Sequence, residues 1–249
     1  MLTPQSQVFL DAIKTRVVIA DGAMGTMIQD AAPSLDDFQG YEGCNEILNV
    51  TRPELIESIH AQYLQAGADA IETNTFGANF ANLAEYSITE RVYELARAGA
   101  EVARRAADKF STAEHARWVL GSLGPGTKLP SLGHTTYQKL KDAYYTAAKG
   151  LLDAKSDALL VETTQDLLQA KAAVNGCRQA IEEVDFDVVL IAQVTVETTG
   201  TMLLGSEIGA ALNALEPLEI DLIGLNCATG PAEMSEHLRY LSKFANCAI

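Results

Sequence analysis

Six times along this chain a short apolar run hands over to a polar residue and then to an amphipathic helical pattern. This alternation constrains the fold more than any other feature. The apolar runs are 16–20, 68–71, 118–123, 158–161, 188–196 and 220–226, and a seventh opens at 246–249. Between them the 3.6-residue period predicts helices from Thr51 to Gly67 and over 89–109, 136–154, 167–183, 207–215 and 231–244. Near-continuous apolar strands alternating with helices predict a parallel sheet covered by helices. Thr51-Arg52-Pro53-Glu54 reads as a capping box with an early proline, and Gly67 as a left-handed helix end.

The strand ends decide between an open doubly wound sheet and a barrel. Asp21, Glu72, Glu162, Asn226 and Cys227 all lie where a strand passes into its loop. Polar groups converging from several strands fit a barrel mouth better than a single crevice. Gly22-Ala23-Met24-Gly25 has the wrong spacing for a dinucleotide fingerprint. The expectation is one domain over 1–249, a (β/α)₈ TIM-barrel type with about six complete units and an unclosed, C-terminally incomplete barrel. Open edges of that kind imply an oligomer or a second polypeptide that covers them.

Composition removes some partners. With 18 basic against 33 acidic residues, a net charge of −15 argues against nucleic acid or an anionic membrane surface. No apolar run approaches the roughly 20 residues of a membrane span, and the amino terminus lacks the pattern of a signal peptide. Four cysteines without a signal or a C-x-x-C pair suggest free thiols in a reducing, cytoplasmic setting.

Asp21 before Gly22 could bind an ammonium group beside backbone N–H groups that receive an anion, a pairing that suits an amino acid. Alone it reads equally as a turn aspartate. Glu72 and Glu162 have no inward Arg or Lys to pair with, which tilts them toward ligand binding. Asn74 and Asn226 either bind ligand or close turns. The histidines, His60, His115, His134 and His237, fall in helices or turns and do not read as catalytic. Cys177 lies on an apolar helix face, Cys44 in the first loop, and Cys247 at the opposite end of the sheet from Cys227. A strand is about 17–20 Å long, so Cys227 and Cys247 should not share a metal.

Taken together, several segments resemble the homocysteine S-methyltransferase family, and within it the homocysteine-binding module of cobalamin-dependent methionine synthases. They are Asp21-Gly22-Ala23-Met24-Gly25-Thr26, Gly43-Cys44-Asn45-Glu46-Ile47-Leu48, 66–76 with Glu72-Thr73-Asn74-Thr75-Phe76, Gly121-Ser122-Leu123-Gly124-Pro125, Val161-Glu162-Thr163 and 224–231 with Asn226-Cys227. The resemblance implies a barrel that binds homocysteine at its mouth, with the sulfur on a zinc ion held by three cysteines. It matches Cys227 to the first zinc ligand, Asp21 and Glu162 to the carboxylates that hold the ammonium, and Gly22 and Ala23 to the backbone that receives the carboxylate. Glu72, Thr73, Asn74 and Asn226 line the same mouth. It also implies cobalamin- and folate-binding modules as partners in a larger enzyme.

Two departures stand out. The family's other zinc ligands are an adjacent Cys-Cys pair, and this chain has none, so it should be inactive alone. The turn Ala154-Lys155-Ser156-Asp157 lacks the glycine usual at that helix end, a local matter of little cost. A degenerate, non-catalytic barrel that binds an amino acid or a partner subunit is the alternative. A barrel lyase using Glu72 and Glu162 is a third reading, which no strand-end lysine supports.

Overall fold

The computed structural model describes residues 2–249. Five parallel strands, β1 (Ala70–Glu72), β2 (Trp118–Leu123), β3 (Ala158–Thr164), β4 (Val189–Val194) and β5 (Leu222–Leu225), lie side by side in chain order. The helices that cross between them are α4 (Pro53–Ala66), α6 (Val92–Phe110), α7 (Tyr137–Asp153), α8 (Leu167–Glu182), α9 (Ile208–Leu215) and α10 (Pro231–Phe244), with α1 (Pro4–Thr15), α2 (Met24–Asp30), α3 (Leu48–Thr51) and α5 (Phe80–Glu85) in the flanking segments. The sheet is a barrel that does not close.

Both outermost predicted strands shrink to single bridges, a correction to the expected pattern. Segment 16–20 touches β1 only at Ala20–Ala70, and 246–249 touches β5 only at Ala248–Leu222. On the first edge the Asp69 and Ala70 N–H groups both donate to the Ile19 carbonyl, at 2.7 and 3.2 Å. The far side of that segment has no strand to pair with among the described residues. Val17 is accordingly 82% exposed and Ile19 59%.

Strand periodicity sorts the core into two faces. Ala70, Trp118, Leu120, Ala158, Leu160, Val189, Ile191 and Leu222 form one inward cluster. Leu123, Leu159, Val161, Leu190, Ala192, Val194 and Ile223 face the helices. Those helices pack closely because two of them carry glycine at the contact. A Cβ on Gly150 would lie 2.6 Å from the Tyr93 carbonyl, and one on Gly176 2.5 Å from the Lys141 carbonyl.

The inward cluster is covered by α1, which periodicity did not single out. Its start has an ordinary cause: Thr3 Oγ1 accepts from the Ser6 N–H at 3.0 Å, and a proline follows at the first helical position. Phe9 then meets Trp118 edge-on at 5.3 Å, and Ser6 Oγ donates to the Asp157 carbonyl at 2.8 Å. α1 therefore plugs the amino-terminal end of the barrel and leaves the carboxyl-terminal end open.

Three aspartates set the strand starts. Asp69, Asp157 and Asp221 each precede a strand and accept a backbone N–H from the segment before it: Ile19 at 3.0 Å, Val119 at 2.8 Å and Leu190 at 2.7 Å. Arg16 grips Asp69 with two bonds and holds its carboxyl well below the usual range against the cost of burial, while Arg104 pairs with Asp157.

The expected capping box at α4 does not form. Thr51 belongs to α3 and its hydroxyl donates back to the Ile47 carbonyl, while Glu54 takes a bond from Arg52 Nε. Pro53 and the left-handed Gly67 do bound α4 as expected. At the end of α7, Lys155 adopts φ 63°, so a lysine fills the left-handed position that glycine prefers. Lys155→Gly should therefore stabilise the chain by about 1 kcal/mol, read as a rise in the urea midpoint. A fall would contradict the strain. Among the described residues no helix is long and apolar enough to cross a membrane.

Candidate functional site

The inward side of the sheet changes character at its open end. Continuing the alternation past the apolar layers brings Glu72 on β1, Ser122 on β2, Glu162 on β3 and Gln193 on β4 to the mouth. Neither Ser122 nor Gln193 was singled out from the sequence. Both were recoverable by counting two residues on from Leu120 and Ile191. A cavity of about 450 Å³ opens here, lined by Gly22, Ala23, Glu46, Glu72, Asn74 and Glu162 among others.

Besides Glu46, three carboxyl groups converge on this mouth. Asp21 Oδ1 accepts the Glu72 N–H at 3.0 Å. Glu162 is 8% exposed and accepts from Ser122 Oγ at 2.6 Å and Asn226 Nδ2 at 3.2 Å. Among the described residues none of the three is paired with Lys, Arg or His. Burial, with the charge of Glu162 added, pushes Asp21 up to about 7 even though backbone N–H groups oppose it. Burial followed by the charges of Glu162 and Asp21 pushes Glu72 up to about 8. Burial also raises Glu162, against the hydroxyls of Ser122 and Thr163. The mouth is thus a partly buried acidic pocket whose three carboxyl groups disfavour one another's ionisation.

The wall beside it is densely hydrogen-bonded. Thr75 gives its hydroxyl proton to the Ser122 carbonyl at 2.7 Å, so the 2.6 Å contact between Thr73 and Thr75 must have Thr73 as donor. That donation spends the only Thr73 hydroxyl proton, and its oxygen also accepts the Ser122 N–H at 2.9 Å. Asn74 sends its amide to the Asn45 carbonyl at 2.9 Å and to Asn49 Oδ1 at 3.0 Å, and Asn49 returns a bond to the Asn74 carbonyl at 2.8 Å. Thr73 and Asn74 line the cavity, but their donors are spent on shaping it. Glu46, buried and raised by burial, seats the same loop by accepting the Gly77 N–H at 2.7 Å. On the facing wall, Tyr63 donates to the Ala23 carbonyl at 3.0 Å and fixes the Gly22–Ala23 turn.

Cys227 is exposed at the same end, immediately after Asn226. Its φ of 60°, those of Ala228 (55°) and Thr163 (59°), place three non-glycine residues in the left-handed region around one site. Each costs about 1–2 kcal/mol, which the surrounding bonds must offset. Thr163 Oγ1 lies 3.7 Å from Cys227 Sγ.

The other thiols lie elsewhere. Cys44 is buried, donates to Glu46 at 3.7 Å and is pushed up to about 12 by burial. Cys177 is buried within α8, and Cys247 sits half-buried beside the Ala248 bridge. Among the described residues no three His, Cys, Asp or Glu side chains gather to hold a metal ion. A zinc site takes three or four protein ligands, so one thiol does not fit zinc by itself. Two histidines lie away from the mouth. Burial pushes His60 down to about 4, and His115 binds Asp69 at the plugged end.

Comparison with known proteins gives a family and a shared fold. The family model described as homocysteine S-methyltransferase matches residues 18–249. Proteins named methionine synthase from Mycobacterium leprae (strain TN) and Mycobacterium tuberculosis (strain ATCC 25618 / H37Rv) are each 60% identical over 240 residues. The match covers 96% of this chain and 20% of each relative, so the chain spans about a fifth of their length. The homocysteine methyltransferase MmuM from Escherichia coli shares the fold. Its metallated form gives a TM-score of 0.78 at 21% identity, covering 97% of this chain and 84% of that one, and its apo form gives 0.72. A match to 18–249 encompasses the whole sheet and every residue of the mouth, and the chain belongs to the homocysteine S-methyltransferase family.

Proposed function

We propose that this chain is the homocysteine-binding module of a longer methionine synthase. The observation that carries the reading is the trio Asp21, Glu72 and Glu162 at one mouth, Glu162 buried and the other two partly buried, with no Lys, Arg or His paired to them among the described residues. Carboxyls so placed favour a ligand that brings its own positive charge. An amino acid does so through its ammonium group, here set on Asp21 and Glu162 with Glu72 beside them. Its carboxylate would reach the Gly22–Ala23 backbone, and its side chain would extend toward Cys227 and Asn226.

Homocysteine would bring a thiol to that point. A thiol is mostly protonated at neutral pH, whereas the thiolate is the nucleophile that accepts a methyl group. In this reading Cys227 is one zinc ligand and the remaining ligands come from outside these 249 residues. The methyl donor belongs to cobalamin- and folate-binding modules elsewhere in the longer protein. A non-catalytic amino-acid-binding barrel is the competing reading.

Metal analysis tests the assignment of the remaining zinc ligands to other parts of the longer protein. After equilibrium dialysis the 249-residue chain should hold far less than one zinc ion. One zinc per chain, lost in Cys227→Ser but kept in Cys44→Ser and Cys247→Ser, would show that the site is completed within the sample and overturn the division proposed here.

A further inference from the structure

Thr163 has no assigned part in the site, yet it is bonded to Asn226 through both backbone and side chain and lies within reach of Glu162 and Cys227. Its backbone N–H donates to Asn226 Oδ1 at 2.9 Å. A backbone N–H can only donate, so the Asn226 amide cannot be flipped, and Nδ2 must face the other way. That nitrogen donates to Thr163 Oγ1 at 2.7 Å and to Glu162 Oε2 at 3.2 Å. Thr163 Oγ1 then has its one proton left, with Glu162 Oε2 at 3.4 Å and Cys227 Sγ at 3.7 Å as acceptors.

The backbone is consistent with a special role. Thr163 is β-branched, and its φ of 59° is an outlier for such a side chain. The register between β3 and β4 shifts between Val161 and Thr164, which releases Thr163 from the ladder and turns it toward Asn226. Strain of this kind persists where the surrounding bonds over-determine it.

We propose that Thr163 is a positioning residue: through Asn226 it orients the Glu162 carboxylate toward the ligand's ammonium group. The inference rests on the amino-acid reading of the mouth. It requires the hydroxyl, not only the shape, of residue 163.

The test uses L-2-aminobutyrate, which carries the ammonium and carboxylate but no thiol, titrated calorimetrically into the whole 249-residue chain. Thr163→Val keeps the branched shape and loses the hydroxyl, and should weaken binding about tenfold. Thr163→Ser keeps the hydroxyl and should bind within about twofold of the parent. Thermal midpoints of both variants report whether the fold is intact. Parent-like binding by Thr163→Val, or equal loss in Thr163→Ser, would overturn the role of the hydroxyl while leaving the ammonium site standing. No binding by the unsubstituted chain would overturn the amino-acid reading itself, and this inference with it.

Discussion

Glu72→Gln should stabilise the ligand-free chain at pH 8 by about 2 kcal/mol and change it little at pH 5. The sign follows from the direction of the shift. Glu72 is raised from 4.5 to about 8 in the folded chain. Between those values the folded state keeps a proton that the unfolded state has released. Stability contributed by this group is therefore full below pH 4.5, falls as pH rises through the window, and is gone above about 8. Glutamine has the same shape and no charge to bury, so its advantage grows with pH. His60 works the other way, since its folded value is lowered from 6.5 to about 4 and stability rises with pH between them. The comparison of variant with parent cancels that contribution. Urea midpoints at pH 5 and pH 8 give the answer, and an equal shift at both would mean that Glu72 is not held neutral by its surroundings.

The second large effect is on binding. Glu162→Gln should weaken homocysteine by about 100-fold, roughly 3 kcal/mol, because it leaves a buried ammonium facing an amide. The substitution keeps an oxygen for Ser122 Oγ, whose bond is 2.6 Å in the parent. It removes the charge and disturbs the contact with Asn226 Nδ2, at 3.2 Å. Glu162 stands apart from Asp21 because it alone ties the ammonium site to Thr163, Asn226 and the exposed thiol. A drop smaller than about threefold would place the ammonium elsewhere in the mouth.

Much of the fold was legible because interior parallel strands are buried on both faces and read as unbroken apolar runs. Residues 118–123 and 158–161 therefore appear almost where the strands form. Segment 16–20 has the same composition but only one neighbour, and a single carbonyl at Ile19 receives what a strand would share along its length. α1 was missed for a different reason. Its apolar face covers the end of a barrel, a contact that no local pattern announces, although Thr3-Pro4 marks its start.

The site divides similarly. Asp21, Glu72, Glu162 and Cys227 stand out in the sequence because they directly follow apolar runs. Gln193 and Ser122 lie inside strand patterns, and only the register shows that they face the mouth. Asn74 was found for its position, but whether its amide faces the ligand or Asn49 is decided by loop packing 25 residues away in sequence. Thr163 was passed over as a bystander to Glu162. Its left-handed backbone and its bond to Asn226, 63 residues on, exist only in the folded chain.

The proposed function places the ammonium end of homocysteine in the acidic mouth. Calorimetric titration of the chain with L-homocysteine at pH 7, in two buffers of different ionisation enthalpy, tests it most directly. Saturable binding at one site is expected, with net proton release, because Asp21 at about 7 and Glu72 at about 8 must ionise to meet the ammonium group. Binding that releases no proton, or no saturable heat at all, would contradict it.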